Sequence, residues 1–209
     1  MEFAAARKVM VDSQVRVNDV TDRALQAALL AVPRERFLPA ERAYSAYAEI
    51  EPEIAGGRRL MLARDLSKLL MALDARPGET ALAPAAPYAA AVLARLGLTV
   101  TAQESDGAVF EVVGEVLAEE GVRTVTAPLN VPADGGYDVI VCEGAVPGRA
   151  EAWLKVLNVG GRMAVVERTG PVGKAVLYVR GEQGVSRREL FNAAPPMLAE
   201  LSPIPTFAL

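Results

Sequence analysis

The spacing of the apolar residues changes at Pro77-Gly78, and this change divides the chain into two parts. Before that point apolar residues recur every three or four positions, the period of a helix with one buried face. After it, short apolar runs alternate with helical stretches. Helices are predicted over residues 2–16, 22–32 (capped by Thr21 or Asp19) and 60–73, with a mixed stretch at 40–58.

The second part alternates strands with helices. Strands are predicted over residues 80–83, 98–104, 122–127, 137–144, 162–167, 174–180 and 186–193, and helices over 89–96, 108–120 and 151–157. The run YDVIVCEG is apolar almost throughout, as expected at the centre of a parallel sheet. This order predicts an α/β fold with a doubly wound, parallel sheet that ends in an antiparallel pair.

A doubly wound sheet binds its ligands beyond the carboxyl ends of the strands, at the point where the strand order reverses. In this chain that point is the first strand–helix turn, Ala83-Pro84-Ala85-Ala86-Pro87-Tyr88, which contains no glycine. Two acids, Glu104 and Glu143, follow neighbouring predicted strands. Glu104 is placed either to accept hydrogen bonds from ribose hydroxyls or to be a solvated strand-end residue. Glu143 is interpreted either as a substrate-side group or as a switch-point carboxylate without a ligand.

The composition excludes several kinds of chemistry. The 209-residue chain has no histidine, which removes the Ser-His-Asp mechanism, histidine acid–base catalysis and histidine metal ligands. Cys142 is the only cysteine, so we expect no intramolecular disulfide and no cysteine-rich metal site. We interpret Cys142 as a small buried hydrophobic residue rather than a nucleophile.

The charge pattern also limits the expected partners. The net charge is −4, which does not suit a nucleic-acid-binding surface. The short clusters Arg34-Glu35-Arg36 and Arg187-Arg188 are interpreted as solvated faces. No apolar run approaches the ~20 residues of a membrane span. The N-terminus lacks the layout of a signal peptide, and a cytoplasmic location is expected.

Four segments resemble the protein-L-isoaspartate O-methyltransferase family and follow one another in the family's order. They are FAAARKVMVDSQVRVNDVTDRALQAALLAVPRERFLP, PGETALAPAAPYAAAVLARLG, GYDVIVCEGAVPGRAEAWLKVLNVGGRMAVV and GVSRRELFNAAPP, which together cover most of the chain. The N-terminal segment is the most specific, whereas the strand, helix and Gly-Gly-Arg of the third are shared with many S-adenosylmethionine (SAM) methyltransferases. The resemblance implies methylation of the α-carboxyl of isoaspartyl residues in damaged proteins.

The resemblance also implies an architecture. The expected fold is Rossmann-like, with a doubly wound, mostly parallel seven-stranded sheet, an antiparallel C-terminal strand and preceding N-terminal helices. We expect one methyltransferase-like domain over residues 1–209, with a helical extension (1–75) and a Rossmann-like core (76–209).

The cofactor positions that the resemblance implies depart from the family's pattern. Aligned on Tyr88, the family's acid falls at Ala81 and its three glycines fall at Ala83, Ala85 and Pro87. Glycine lets the backbone approach SAM and adopt a positive φ, which costs alanine about 1–2 kcal/mol and which proline cannot reach. Glu104 matches the acid that accepts from the ribose hydroxyls.

The substrate positions depart as well. The family carries a hydroxyl-bearing Thr-Ile-Ser stretch before its helix, and this chain has Arg58-Arg59-Leu60-Met61 there. Arg58 and Arg59 either pair with a substrate carboxylate or belong to a solvated loop. The acid that the family has before Pro128-Leu129 is also missing.

Three functions remain open from the sequence. The first is a non-catalytic relative that uses the fold as a binding or scaffolding module, with a protein partner. The second is an active SAM-dependent protein-L-isoaspartate O-methyltransferase, and the third is a methyltransferase of another substrate or a protein that binds another small molecule. The sequence leaves the oligomeric state undetermined.

Overall fold

The computed structural model describes residues 2–202. Helices and a small hairpin make up its N-terminal part, because the apolar stripes predicted there bury one face. The elements are α1 (Phe3–Met10), α2 (Arg23–Ala31), β1 (Glu53–Ala55), β2 (Arg58–Arg59) and α3 (Ala63–Leu73). The first predicted helix continues beyond α1 as a π-helical turn, Val11–Val15, and then as a 3₁₀ turn.

The remaining elements alternate as predicted. They are β3 (Thr80–Pro84), α4 (Pro87–Arg95), β4 (Thr99–Glu104), α5 (Gly107–Glu119), β5 (Arg123–Thr126), β6 (Tyr137–Val146), α6 (Glu151–Lys155), β7 (Leu157–Glu167), β8 (Gly173–Gly181) and β9 (Gly184–Ala193). All strands from β3 onward join one seven-stranded sheet.

The sheet has the order β5-β4-β3-β6-β7-β8-β9. Strands β3 to β7 pair in parallel, whereas β8 pairs antiparallel with both β7 and β9. The strand that runs against the others is therefore β8, the second to last, rather than the C-terminal strand. The order reverses between β3 and β6, so the carboxyl ends of β3, β4 and β6 form the edge at which such a fold places a ligand.

Two sequence predictions about the N-terminal part were wrong in detail. Helix α2 is capped by Asp22, whose carboxylate accepts from the N–H groups of Ala24 and Leu25, and not by Thr21 or Asp19. The mixed stretch contains the β1–β2 hairpin, which pairs antiparallel. Its Gly56 and Gly57 both have positive φ, the conformation that closes so short a turn.

The core lies on both faces of the sheet. One cluster of buried side chains joins α1 to α5 with one face of β3, β4 and β6, and a second joins α6 with the other face. Strand β6 is buried along almost its whole length, as its apolar run predicted. Within residues 2–202, no helix is long and apolar enough to cross a membrane.

Candidate functional site

Three loops and one strand meet at the carboxyl edge of the sheet. The first loop follows β3, Glu104 ends β4, and Glu143 lies in the last part of β6. The β1–β2 hairpin approaches from the N-terminal part and brings Arg58 to the same place, where its guanidinium contacts Glu104. The edge is therefore built partly from the extension and partly from the sheet.

The loop after β3 is short and closed. Strand β3 runs to Pro84, and α4 begins at Pro87, which takes the first helical position, where no intrahelical N–H bond is lost. Every residue from Pro84 to Tyr88 is buried. The loop backbone is tied to the neighbouring strand, because Ala85 N donates to Gln103 O at 2.9 Å.

Ala85 keeps the backbone shape of a glycine. Its φ is +53°, a left-handed conformation that costs alanine about 1–2 kcal/mol. Ala83 lies within β3 and Pro87 at the start of α4, and neither has a positive φ. Of the three positions that align with glycines, only Ala85 therefore carries this strain.

Arg58 and Glu104 form a buried ion pair. Arg58 Nε lies 3.1 and 2.9 Å from the two carboxylate oxygens of Glu104, and the side chains are 7% and 1% exposed. Arg58 Nη2 also donates to Glu200 Oε1 at 2.7 Å. The predicted solvated loop is wrong for Arg58, because the hairpin folds its side chain inward, and both predicted roles of Glu104 meet a charge already in place.

These contacts change the acidity of both groups. Burial raises the pKa of Glu104 to about 7, although the Arg58 guanidinium acts in the opposite direction. Burial lowers the pKa of Arg58, but the charges of Glu104 and Glu200 more than offset this and raise it. Arg58 thus stays charged between two carboxyl groups.

Glu143 is also buried, and it accepts from backbone amides. Its carboxylate oxygens accept from Met61 N at 3.3 Å and from Ala89 N at 2.8 Å. Ala89 lies in the first turn of α4, where free N–H groups and the helix dipole favour an anion. Burial raises the pKa of Glu143, while these bonds and Arg34 act against that increase. Glu143 therefore joins the start of α4 to the residues before α3.

Two further predictions have opposite outcomes. Cys142 is fully buried and burial raises the pKa of its thiol, which confirms a buried residue without thiolate character. Arg34 is only 1% exposed, so its predicted place in a solvated cluster is wrong. Its guanidinium donates to Ala46 O and Met61 O and lies over the ring of Tyr88, 4.7 Å from the centroid.

Arg59 does not join this group. It is exposed, and its guanidinium donates to Glu51 O at 2.9 Å. Sequence reasoning missed Glu200, which lies 142 residues from Arg58 and follows the last strand. No local pattern marks Glu200, since only the path of the chain beyond β9 brings it to the edge.

Little space remains where these groups meet. The cavity lined by Gly57 to Met61, Glu143, Gly144 and Pro195 to Leu198 has a volume of about 20 Å³. Ligand pockets usually enclose ~300–1,000 Å³. Among residues 2–202 there is also no cluster of three or more potential metal ligands.

Comparison with known proteins identifies relatives along nearly the whole chain. The protein-L-isoaspartate O-methyltransferase of Methylorubrum populi is 32% identical over 197 residues, which cover 91% of this chain and 92% of that protein. The corresponding protein of Methylorubrum extorquens is 32% identical over 198 residues, with 92% and 86% covered. No protein-family model matches the chain.

A solved structure supports the same fold. The Plasmodium falciparum protein, described as a putative protein-L-isoaspartate O-methyltransferase in complex with S-adenosyl-L-homocysteine, superposes with a TM-score of 0.79 at 13% identity. The superposition covers 93% of this chain and 98% of that one. The sequence relatives and the shared Rossmann-like architecture together show that the chain belongs to the protein-L-isoaspartate O-methyltransferase family.

Proposed function

We propose that this chain is a non-catalytic member of its family, which uses the methyltransferase fold to bind or organise a protein partner. The observation that carries the proposal is the Arg58–Glu104 pair. The family resemblance assigns Glu104 to the ribose hydroxyls of SAM, and both of its oxygens already accept from Arg58 Nε. A ribose would have to displace a buried guanidinium, and this would leave two charges without their partners.

The loop after β3 supports the same conclusion. SAM would supply the methyl group if it were bound, and the family resemblance places glycines where its backbone contacts lie. Here the loop residues are buried, Ala83 and Ala85 carry methyl groups, and Pro87 has no N–H to donate. These residues do not fit SAM in the arrangement described above, so we derive no reaction step through it.

The substrate side supports it as well. In this chain Met61 stands where the resemblance expects a serine hydroxyl, and Met61 is 2% exposed. Its backbone N–H donates to Glu143. The position therefore joins two parts of the fold and presents no hydroxyl to an isoaspartyl group.

The second candidate function is an active SAM-dependent protein-L-isoaspartate O-methyltransferase, or a methyltransferase of another substrate. One observation favours it: 32% identity extends over 91% of the chain to a protein of that name. Conservation of the whole scaffold, with Glu104 at the expected strand end, is what an active enzyme would also have. The cytoplasmic location and the protein partner remain predictions in either case.

Calorimetric titration with SAM and with S-adenosylhomocysteine separates these functions. The non-catalytic function predicts no saturable binding below ~50 µM, a free energy of about −6 kcal/mol. Tighter binding would contradict it. Methyl transfer to an isoaspartyl peptide would then distinguish the family's activity from that of another methyltransferase.

A restored variant tests which residues prevent binding. Ala81→Glu, Ala83→Gly, Ala85→Gly and Pro87→Gly rebuild the family's motif, and Arg58→Gln removes the guanidinium from Glu104. We expect the loop changes alone to leave binding weak and the combined variant to bind S-adenosylhomocysteine more tightly. The matched control, Arg59→Gln on the restored loop, changes an exposed arginine of the same hairpin and should behave like the loop changes alone.

A further inference from the structure

The segment after β9, Pro195–Leu201, crosses the carboxyl edge of the sheet, and we call it the C-terminal strap. Near its start, Arg168 Nη1 donates to the carbonyl oxygens of Ala194 and Pro195 at 3.1 and 2.8 Å. The strap then reaches the end of β6. It is thus fixed to the sheet before it reaches the Arg58–Glu104 pair.

The middle of the strap pairs with β6 as a short extra strand. Ala145 N donates to Pro196 O at 2.8 Å, and Leu198 N donates to Ala145 O at 2.9 Å. These two bonds form a parallel bridge between Ala145 and Met197. Leu198 packs on Gly144, where an added Cβ would come within 2.7 Å of Leu198 Cδ2.

The end of the strap carries Glu200. Its Oε1 accepts from Arg58 Nη2 at 2.7 Å and from Ser105 Oγ at 2.6 Å. Arg58 thereby joins three elements: the β1–β2 hairpin, the end of β4 through Glu104, and the strap through Glu200. The Glu200 carboxylate is about one third exposed, whereas Arg58 and Glu104 are buried beneath it.

We propose that the C-terminal strap is an intramolecular clamp, which Glu200 holds closed by keeping Arg58 on Glu104. A ligand at the carboxyl edge and the closed strap exclude each other, because Arg58, Glu143 and the strap enclose the remaining small cavity between them. Release of Glu200 frees Arg58 to leave Glu104 and allows the strap to detach from Ala145. This inference rests on the proposed closed cofactor edge and adds the element that controls it.

Hydrogen exchange tests the clamp in the full-length protein. In Glu200→Ala we expect the amides of Leu198 and Ala145 to exchange about tenfold faster, the factor expected for the loss of one charge-assisted hydrogen bond. The control is Glu189→Ala, which removes an exposed carboxylate of β9 that pairs with Arg187 and Lys174. Exchange of Leu198 within twofold of the unchanged protein in Glu200→Ala would overturn the clamp.

A second variant keeps the test decisive. Arg58→Gln with Glu104→Gln removes the charges together and preserves side-chain volume, so it should also accelerate exchange in the strap. If this variant does not fold, as judged by circular dichroism, Glu200→Ala still decides the result. Binding of S-adenosylhomocysteine by the unchanged protein would refute the non-catalytic function, whereas unchanged strap exchange in Glu200→Ala would refute only the clamp.

Discussion

Ala85 has the backbone of a glycine and the side chain of a core residue. Its φ of +53° costs about 1–2 kcal/mol for alanine, while its buried methyl contributes about 0.8 kcal/mol. Ala85→Gly should therefore leave the free energy of unfolding within about 1 kcal/mol of the original protein, or increase it. Urea denaturation measures this difference.

The neighbouring residue is the matched control. Ala86 is equally buried but has a φ of −138°, so Ala86→Gly loses a methyl and gains backbone entropy without relief of strain. We expect it to lower the free energy of unfolding by about 1–2 kcal/mol. Equal effects of the two substitutions would mean that Ala85 is not strained.

Arg58 should stabilise the fold through the charge it neutralises. Arg58→Ala leaves Glu104 buried without a partner and should cost about 3–5 kcal/mol, whereas Arg58→Gln with Glu104→Gln should cost less because no lone charge remains. Arg59→Ala, an exposed neighbour, should change stability by about 0.5 kcal/mol or less. Chemical denaturation of the three variants measures these effects, and a double variant no more stable than Arg58→Ala would contradict this account.

At the scale of elements, Asp138 joins three adjacent strands. Its carboxylate accepts from Asn158 Nδ2 of β7 at 2.7 Å, and from the amide and hydroxyl of Thr80 of β3 at 2.9 Å each. The bond from Asn158 and then that from the Thr80 amide lower the pKa of Asp138 from its ordinary value of 3.8. The central strands thus share one ionised group at their amino ends.

The sign of the pH effect follows from this lowered pKa. The folded protein binds this proton more weakly than the unfolded chain, so the stabilisation is fully present above the ordinary value of 3.8 and is lost as the pH falls below it. Asp138→Asn should flatten the loss of stability on acidification in that range. The control is Glu182→Gln on the exposed β8–β9 turn, and an identical acid profile for Asp138→Asn and the unchanged protein would contradict the assignment.

The sequence predicted elements where periodicity is a local property. The strand–helix alternation after Pro77-Gly78 appears in the sheet because each run carries its own apolar pattern. The cap of α2 was missed because Asp19, Thr21 and Asp22 are all chemically suited, and only the backbone geometry selects Asp22. The β1–β2 hairpin was missed because strands of two and three residues are too short to show a period.

At the scale of the whole molecule, the site depends on contacts between distant parts of the chain. The loop after β3 was identified from its position in the strand order and from the family's motif, both of which are visible in the sequence. The Arg58–Glu104 and Arg58–Glu200 contacts span 46 and 142 residues, and no spacing rule connects residues so far apart. Sequence reasoning therefore located the edge of the sheet but not the groups that fill it.

A closed edge predicts how the whole molecule responds to S-adenosylhomocysteine. A ligand stabilises the folded state by RT ln(1 + [L]/Kd), so 1 mM ligand with a Kd near 1 mM gives about 0.4 kcal/mol and a Tm shift below about 2 °C. A Kd near 10 µM would give about 2.7 kcal/mol and about 5–11 °C. We expect the smaller shift for the unchanged protein and a larger one for the restored loop with Arg58→Gln. A large shift for the unchanged protein would mean that the ligand displaces Arg58 from Glu104, and the edge would then be a working cofactor site.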